Sequence, residues 1–123
     1  MLAPLEEPNG LPALVLLEPR EHLDLPDLSD ELAAELGQLT VRLVRVMKTL
    51  DGVANAHVSR WGDGGAHLHV FFYAHPAGFA QLRGTVLAWW DDILPPTPRD
   101  EWDTNMRLIA RRLAAVHGGT AHV

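Results

Sequence analysis

The chain has 123 residues, 47% of them hydrophobic and 21% charged, with a formal net charge of −6 and no cysteine. Such values fit one soluble globular domain with a single core, and they exclude a disulfide framework, a thiolate metal site and a membrane-spanning run. The acidic balance argues against a nucleic acid polymer as partner, since that needs a basic footprint, while small phosphorylated ligands stay open. With no signal-peptide pattern at the start, a cytoplasmic location is the expectation.

Residues 1–10, with their prolines, glycine and the pair Glu6-Glu7, read as an irregular lead-in. The apolar run 12–17 between turn signals reads as a buried strand, and it leads into Glu18-Pro19-Arg20-Glu21-His22. Residues 30–50 carry the strongest helical pattern. Ser29 stands at the N-cap, and Leu32, Leu36, Leu39, Leu43, Met47 and Leu50 draw one apolar stripe at spacings of three and four. Acidic residues open this helix and basic residues close it, as the helix dipole prefers, and Asp51-Gly52 stops it. Its basic residues read as a solvated face.

Residues 53–61 read as a strand that returns through a glycine-rich loop into Ala66-His67-Leu68-His69-Val70-Phe71-Phe72-Tyr73. The alternation in that second segment is a strand pattern. Leu68, Val70 and Phe72 make a purely apolar face, expected beneath the long helix. His67, His69, Phe71 and Tyr73 make the other, with the two histidines roughly 7 Å apart at the backbone. Two registers are open: Arg60 across from His67, or Ser59 across from His69. Residues 74–78 read as a turn, with His75 at the strand end. A helix follows over 79–93, with Trp89 or Trp90 in its apolar stripe and the pair Asp91-Asp92 solvated at its end. Thr97-Pro98 opens a last helix with a cap and a proline at its first position. Trp102, Met106, Ile109, Leu113 and Val116 form its buried stripe, and Gly118-Gly119 ends it.

Paired imidazoles on one strand face are ligands for a metal, nucleophiles or acid–base groups, or bland half-exposed side chains. The preceding Asp63-Gly64-Gly65 can gather backbone N–H groups into an anion-binding concavity, which favours phosphate chemistry.

Taken with that loop, His67-Leu68-His69-Val70 resembles the motif of the histidine-triad family, in which histidines alternate with apolar residues on a strand. Phe71 stands where the third histidine stands in the family. Pro19, Arg20, Glu21 and His22 match the family's strand tail, Leu14 replaces a histidine common inside that strand, and the long helix lies in the family's order. The resemblance covers roughly residues 11–75, and the helices over about 79–117 are an extension.

The resemblance implies an α+β fold, a small antiparallel sheet packed on the long helix, within one domain spanning 1–123. It implies a nucleotide or nucleoside phosphate conjugate as ligand, and hydrolysis or nucleotidyl transfer through a covalent intermediate on His69. His67 would orient the site. Ser59, Arg60, Gly64 and Gly65 would hold phosphate oxygens, and Glu6 falls near the family's ribose-binding carboxylate. Read without the resemblance, Glu6 is a charged residue in a mobile end. No metal or cofactor enters that chemistry, and the family often forms homodimers. Two other classes stay open: a nucleotide-binding module without turnover, which Phe71 and the short loop after Gly65 favour, and a metal site on His67 and His69 with His57 or Asp63.

Overall fold

A computed structural model describes residues 1–62, 65–80 and 87–122. Four strands form one sheet: β1 (Leu2–Pro4), β2 (Leu14–Leu17), β3 (Val53–Ser59) and β4 (Val70–Pro76). Their order is β1-β2-β4-β3 and each neighbouring pair is antiparallel. Among the described residues three helices accompany them, α1 (Asp30–Met47), α2 (Leu87–Ile93) and α3 (Arg99–His117), with a 3₁₀ turn at Leu25–Asp27. The expected class, α+β with a small antiparallel sheet on a long helix, is the class observed.

Side chains on the central strands alternate between two layers. Val15 pairs with Phe72 and Leu17 with Val70, so these share one face with Ala13, Leu68 and Ala74. Against that face lie Leu43, Val46 and Met47 of α1, Leu50, and Ile109 and Leu113 of α3. Phe72 is completely buried. On the opposite face Leu14 pairs with Tyr73, and both are buried with Leu11 and Trp102, flanked by Trp90 and Leu94. The histidine side of the sheet is therefore covered at its Tyr73 end. α3 serves both layers, so the C-terminal extension completes the core.

α1 starts where its cap stands, with the Ser29 hydroxyl accepting the Leu32 N–H. It ends at Met47, short of residue 50. Thr49 and Leu50 instead donate to the carbonyls of Val46 and Met47, a tightened last turn. Gly52, at φ 75°, then reverses the chain, a conformation in which a Cβ is strained.

Several local readings are corrected. Residues 2–4 form an edge strand, with Leu2 opposite Leu17 and Pro4 opposite Val15. Pro4 is tolerated because an edge strand leaves some N–H groups without a ladder partner. Of the helix expected over 79–93, Leu87–Ile93 is helical and residues 81–86 lie outside those described; Phe79 follows the Gly78 turn outside any helix, as a 38% exposed side chain. Trp90 joins the second layer, whereas Trp89 is exposed. Asp91 is not simply solvated: its Oδ1 is buried without a hydrogen-bond partner among the described residues, and burial, with Asp92 beside it, pushes its carboxyl above the usual carboxylate range. Pro98, without a side-chain cap bond, is the N-cap residue of α3. The Thr97 hydroxyl donates instead to the Leu11 carbonyl. Val116, expected in the stripe, is exposed. Asn105, one turn after Trp102, is buried instead and donates to the Pro12 carbonyl at 2.9 Å.

Candidate functional site

His67 and His69 lie on the approach to β4, which enters the ladder at Val70. The alternation still holds there. Leu68 points into the core at 2% exposure and both histidines stay half-buried. The Leu68 N–H donates to the Leu23 carbonyl, which fixes this approach against the segment after β2.

That segment brings a third imidazole. The rings of His22 and His67 have centroids 5.1 Å apart, as do those of His67 and His69. Three imidazoles thus stand in a row. A carbonyl oxygen can only accept, so His67 Nε2, 3.1 Å from the Pro19 carbonyl, carries the proton of that bond. Glu18 stands 3.3 Å from His69, Oε2 to Nε2. Its side chain is 15% exposed and that of His69 42%. The β2–β4 register explains the meeting. Leu17 pairs with Val70, and the ladder continued by one residue sets Glu18 across from His69.

Neither expected register across β3 and β4 occurs. Ser59 pairs with Phe71, because ten residues separate the strands and no tight hairpin sets their offset. Ser59 still shares the histidine face, and its Oγ is buried without a hydrogen-bond partner among the described residues. Arg60 is drawn to the 3₁₀ turn. Its Nη2 lies 2.7 Å from Asp24 Oδ1, and this bond holds the Asp24 carboxyl below the usual carboxylate range. Gly65 precedes His67 as an exposed residue, and Gly64 and Asp63 lie outside the described residues. Glu6 is exposed near the start of α3, where its carbonyl accepts from Arg99. Phe71 stacks on Tyr73 at 6.1 Å, and the Tyr73 hydroxyl accepts from Trp61.

His57, weighed as a metal ligand from sequence, pairs elsewhere. Its Nε2 lies 3.0 Å from His75 Nδ1, at the far end of β4. Glu18 is the donor that sequence reading missed. The only local signal was its place, a carboxylate at the end of a buried apolar run directly before Pro19.

No family model and no curated protein matches this chain. Among solved structures it is similar to the crystal structure of a histidine triad protein from Marinobacter aquaeolei VT8, with a TM-score of 0.62 and 22% identity, covering 85% of this chain and 75% of that one. The chain has a histidine-triad-like fold. Likeness at this identity carries the fold alone. Among the described residues no helix is long and apolar enough to cross a membrane.

Proposed function

We propose that this chain binds a nucleotide or nucleoside phosphate conjugate at the row His22, His67 and His69, and turns it over as a hydrolase or nucleotidyl transferase through His69. The observation that carries this reading is the carboxylate of Glu18 behind the His69 imidazole. A carboxylate that accepts the Nε2–H leaves the lone pair on Nδ1 and stabilises the charge that grows on the ring as it attacks. The new Nδ1–P bond forms as the bond from phosphorus to the leaving group breaks. The leaving group takes a proton from a neighbouring imidazole or from water. Water or another acceptor then attacks the nucleotidyl-histidine, releasing the nucleotide and restoring the imidazole.

Ser59 supports this reading as a hydroxyl on the histidine face without a partner among the described residues. Gly64 and Gly65 would add backbone N–H donors to the phosphate oxygens. Arg60 would join them only by leaving Asp24, and Glu6 is the proposed ribose carboxylate. A homodimer, for which exposed Trp89 and Ile93 offer apolar surface, and a cytoplasmic location belong to the same proposal.

A second reading has its own observation. Phe71 occupies the place of a third histidine and stacks on Tyr73, where it offers no proton. This favours a binding module without turnover. Incubation with a panel of nucleoside phosphoramidates and dinucleoside polyphosphates separates the two. Monophosphate release, with an acid-labile nucleotide adduct on the His69 peptide after rapid quenching, supports the enzyme. Nucleotide binding without release selects the module. Neither binding nor release removes both.

A further inference from the structure

We propose that Glu18, His67 and His69 form a binding site for a divalent transition metal ion of the zinc class. One carboxylate oxygen of Glu18 and one ring nitrogen from each histidine lie within 4.8 Å of one another. Two imidazoles and one carboxylate are the donor set of open zinc sites, and of other open sites for divalent transition metals. Metal–nitrogen and metal–oxygen bonds of about 2.0–2.2 Å in a tetrahedron set donors roughly 3.4 Å apart. The pair Glu18 Oε2 and His69 Nε2, at 3.3 Å, already has that separation. Only His67 must close in.

Two further features suit a ligand set. The Pro19 carbonyl takes the Nε2–H of His67 at 3.1 Å. A histidine that binds metal through one nitrogen commonly donates the other N–H in this way, which fixes its tautomer and ring plane. The donors also sit on a firm frame. Glu18 follows the last residue of β2, and Leu68, between the two histidines, is locked in the core. With three protein ligands, water completes the shell and one position stays exchangeable.

Charge gives a reason for such a site. With its imidazoles neutral the cluster has no positive charge of its own to meet an anion, and the whole chain is acidic at −6. Two neutral imidazoles, one carboxylate and a divalent cation sum to +1, a local positive centre on an acidic protein. The proposal stands whether or not the chain turns over nucleotides, because the donors are in place without one. It does bear on the catalytic reading: a metal on His69 Nε2 displaces the proton that Glu18 would otherwise accept.

The test is a zinc titration of the chelator-treated full chain by calorimetry, with cobalt absorption as the report on coordination. The wild type should take up one equivalent at this site, more weakly as pH falls, because histidine must be unprotonated at the ligating nitrogen. Glu18→Gln and His69→Ala should each weaken binding by at least about 10-fold. His57→Ala, at the other histidine pair, should keep wild-type affinity. Circular dichroism identifies a variant that fails to fold; in that case the near-isosteric Glu18→Gln decides alone. Absence of uptake by the wild type overturns the proposal. So does binding that survives Glu18→Gln and His69→Ala but is lost in His57→Ala, which would place the ion at His57 and His75.

Discussion

Glu18 and His69 face each other across the end of the β2–β4 ladder, carboxylate to imidazole at 3.3 Å. Glu18→Gln keeps the shape and removes the charge. For any substrate that the wild type turns over, this change should lower kcat by about 10²–10⁴-fold, the usual worth of acid–base help. KM should move much less, because the carboxylate acts on the charge that develops during attack. Steady-state kinetics on wild type and variant check this. An unchanged kcat would show that Glu18 does not act through His69.

Ser59 carries a buried hydroxyl without a hydrogen-bond partner among the described residues. Ser59→Ala should therefore leave stability unchanged or raise it by up to about 1 kcal/mol, since the desolvation cost of an unpaired hydroxyl disappears. Affinity for a phosphorylated ligand should fall in the same variant. Urea unfolding and ligand titration read the two effects separately. A stability loss beyond about 1 kcal/mol would show that the hydroxyl makes a bond in the free protein.

Phe72 has no exposed surface and packs with Val15, Met47 and Leu68 in the larger core layer. Phe72→Ala should destabilise the chain by about 3–5 kcal/mol, through lost transfer energy and the cavity left behind. Equilibrium unfolding measures it. A cost below about 1 kcal/mol would contradict a packed layer at this point.

His57 and His75 form a hydrogen-bonded pair of rings. His75 Nε2 donates to the Phe79 carbonyl at 2.8 Å, and in the singly protonated ring Nδ1 then accepts from His57 Nε2 at 3.0 Å. Burial first, then the nearby His75, holds the His57 imidazole below its ordinary value. The unfolded chain therefore takes up this proton more readily. The contribution of His57 is present above about pH 6.5, the unfolded value, and is lost as pH falls through the lower folded value. Between about pH 7.5 and pH 5.5, the melting temperature of His57→Gln should drop less than that of the wild type. Equal drops would place the acid sensitivity elsewhere.

What the sequence determined by itself is the layering. Leu68, Val70 and Phe72 alternate with His67, His69 and Phe71, and a period of two sends the sets to opposite faces wherever the strand lies. The cap at Ser29, the apolar stripe after it and the stop at Gly52 are likewise local, because each depends on neighbours a few residues away. The tail from Pro19 to His22 and the two-histidine motif pointed to the histidine-triad-like fold, which the solved structure supports.

Only the tertiary structure decided what meets the histidines. Glu18 and His69 are far apart in sequence, no turn connects them, and their meeting depends on how β2 docks beside β4. The same docking sets His22 against His67, whereas the β3–β4 register brings His57 to His75. Ser59 came to Phe71 because a ten-residue connection imposes no register of its own. Edge strand β1 escaped sequence reading for a related reason. Three residues bearing a proline show no strand period, and they become a strand only because Leu17 and its neighbours offer an open ladder.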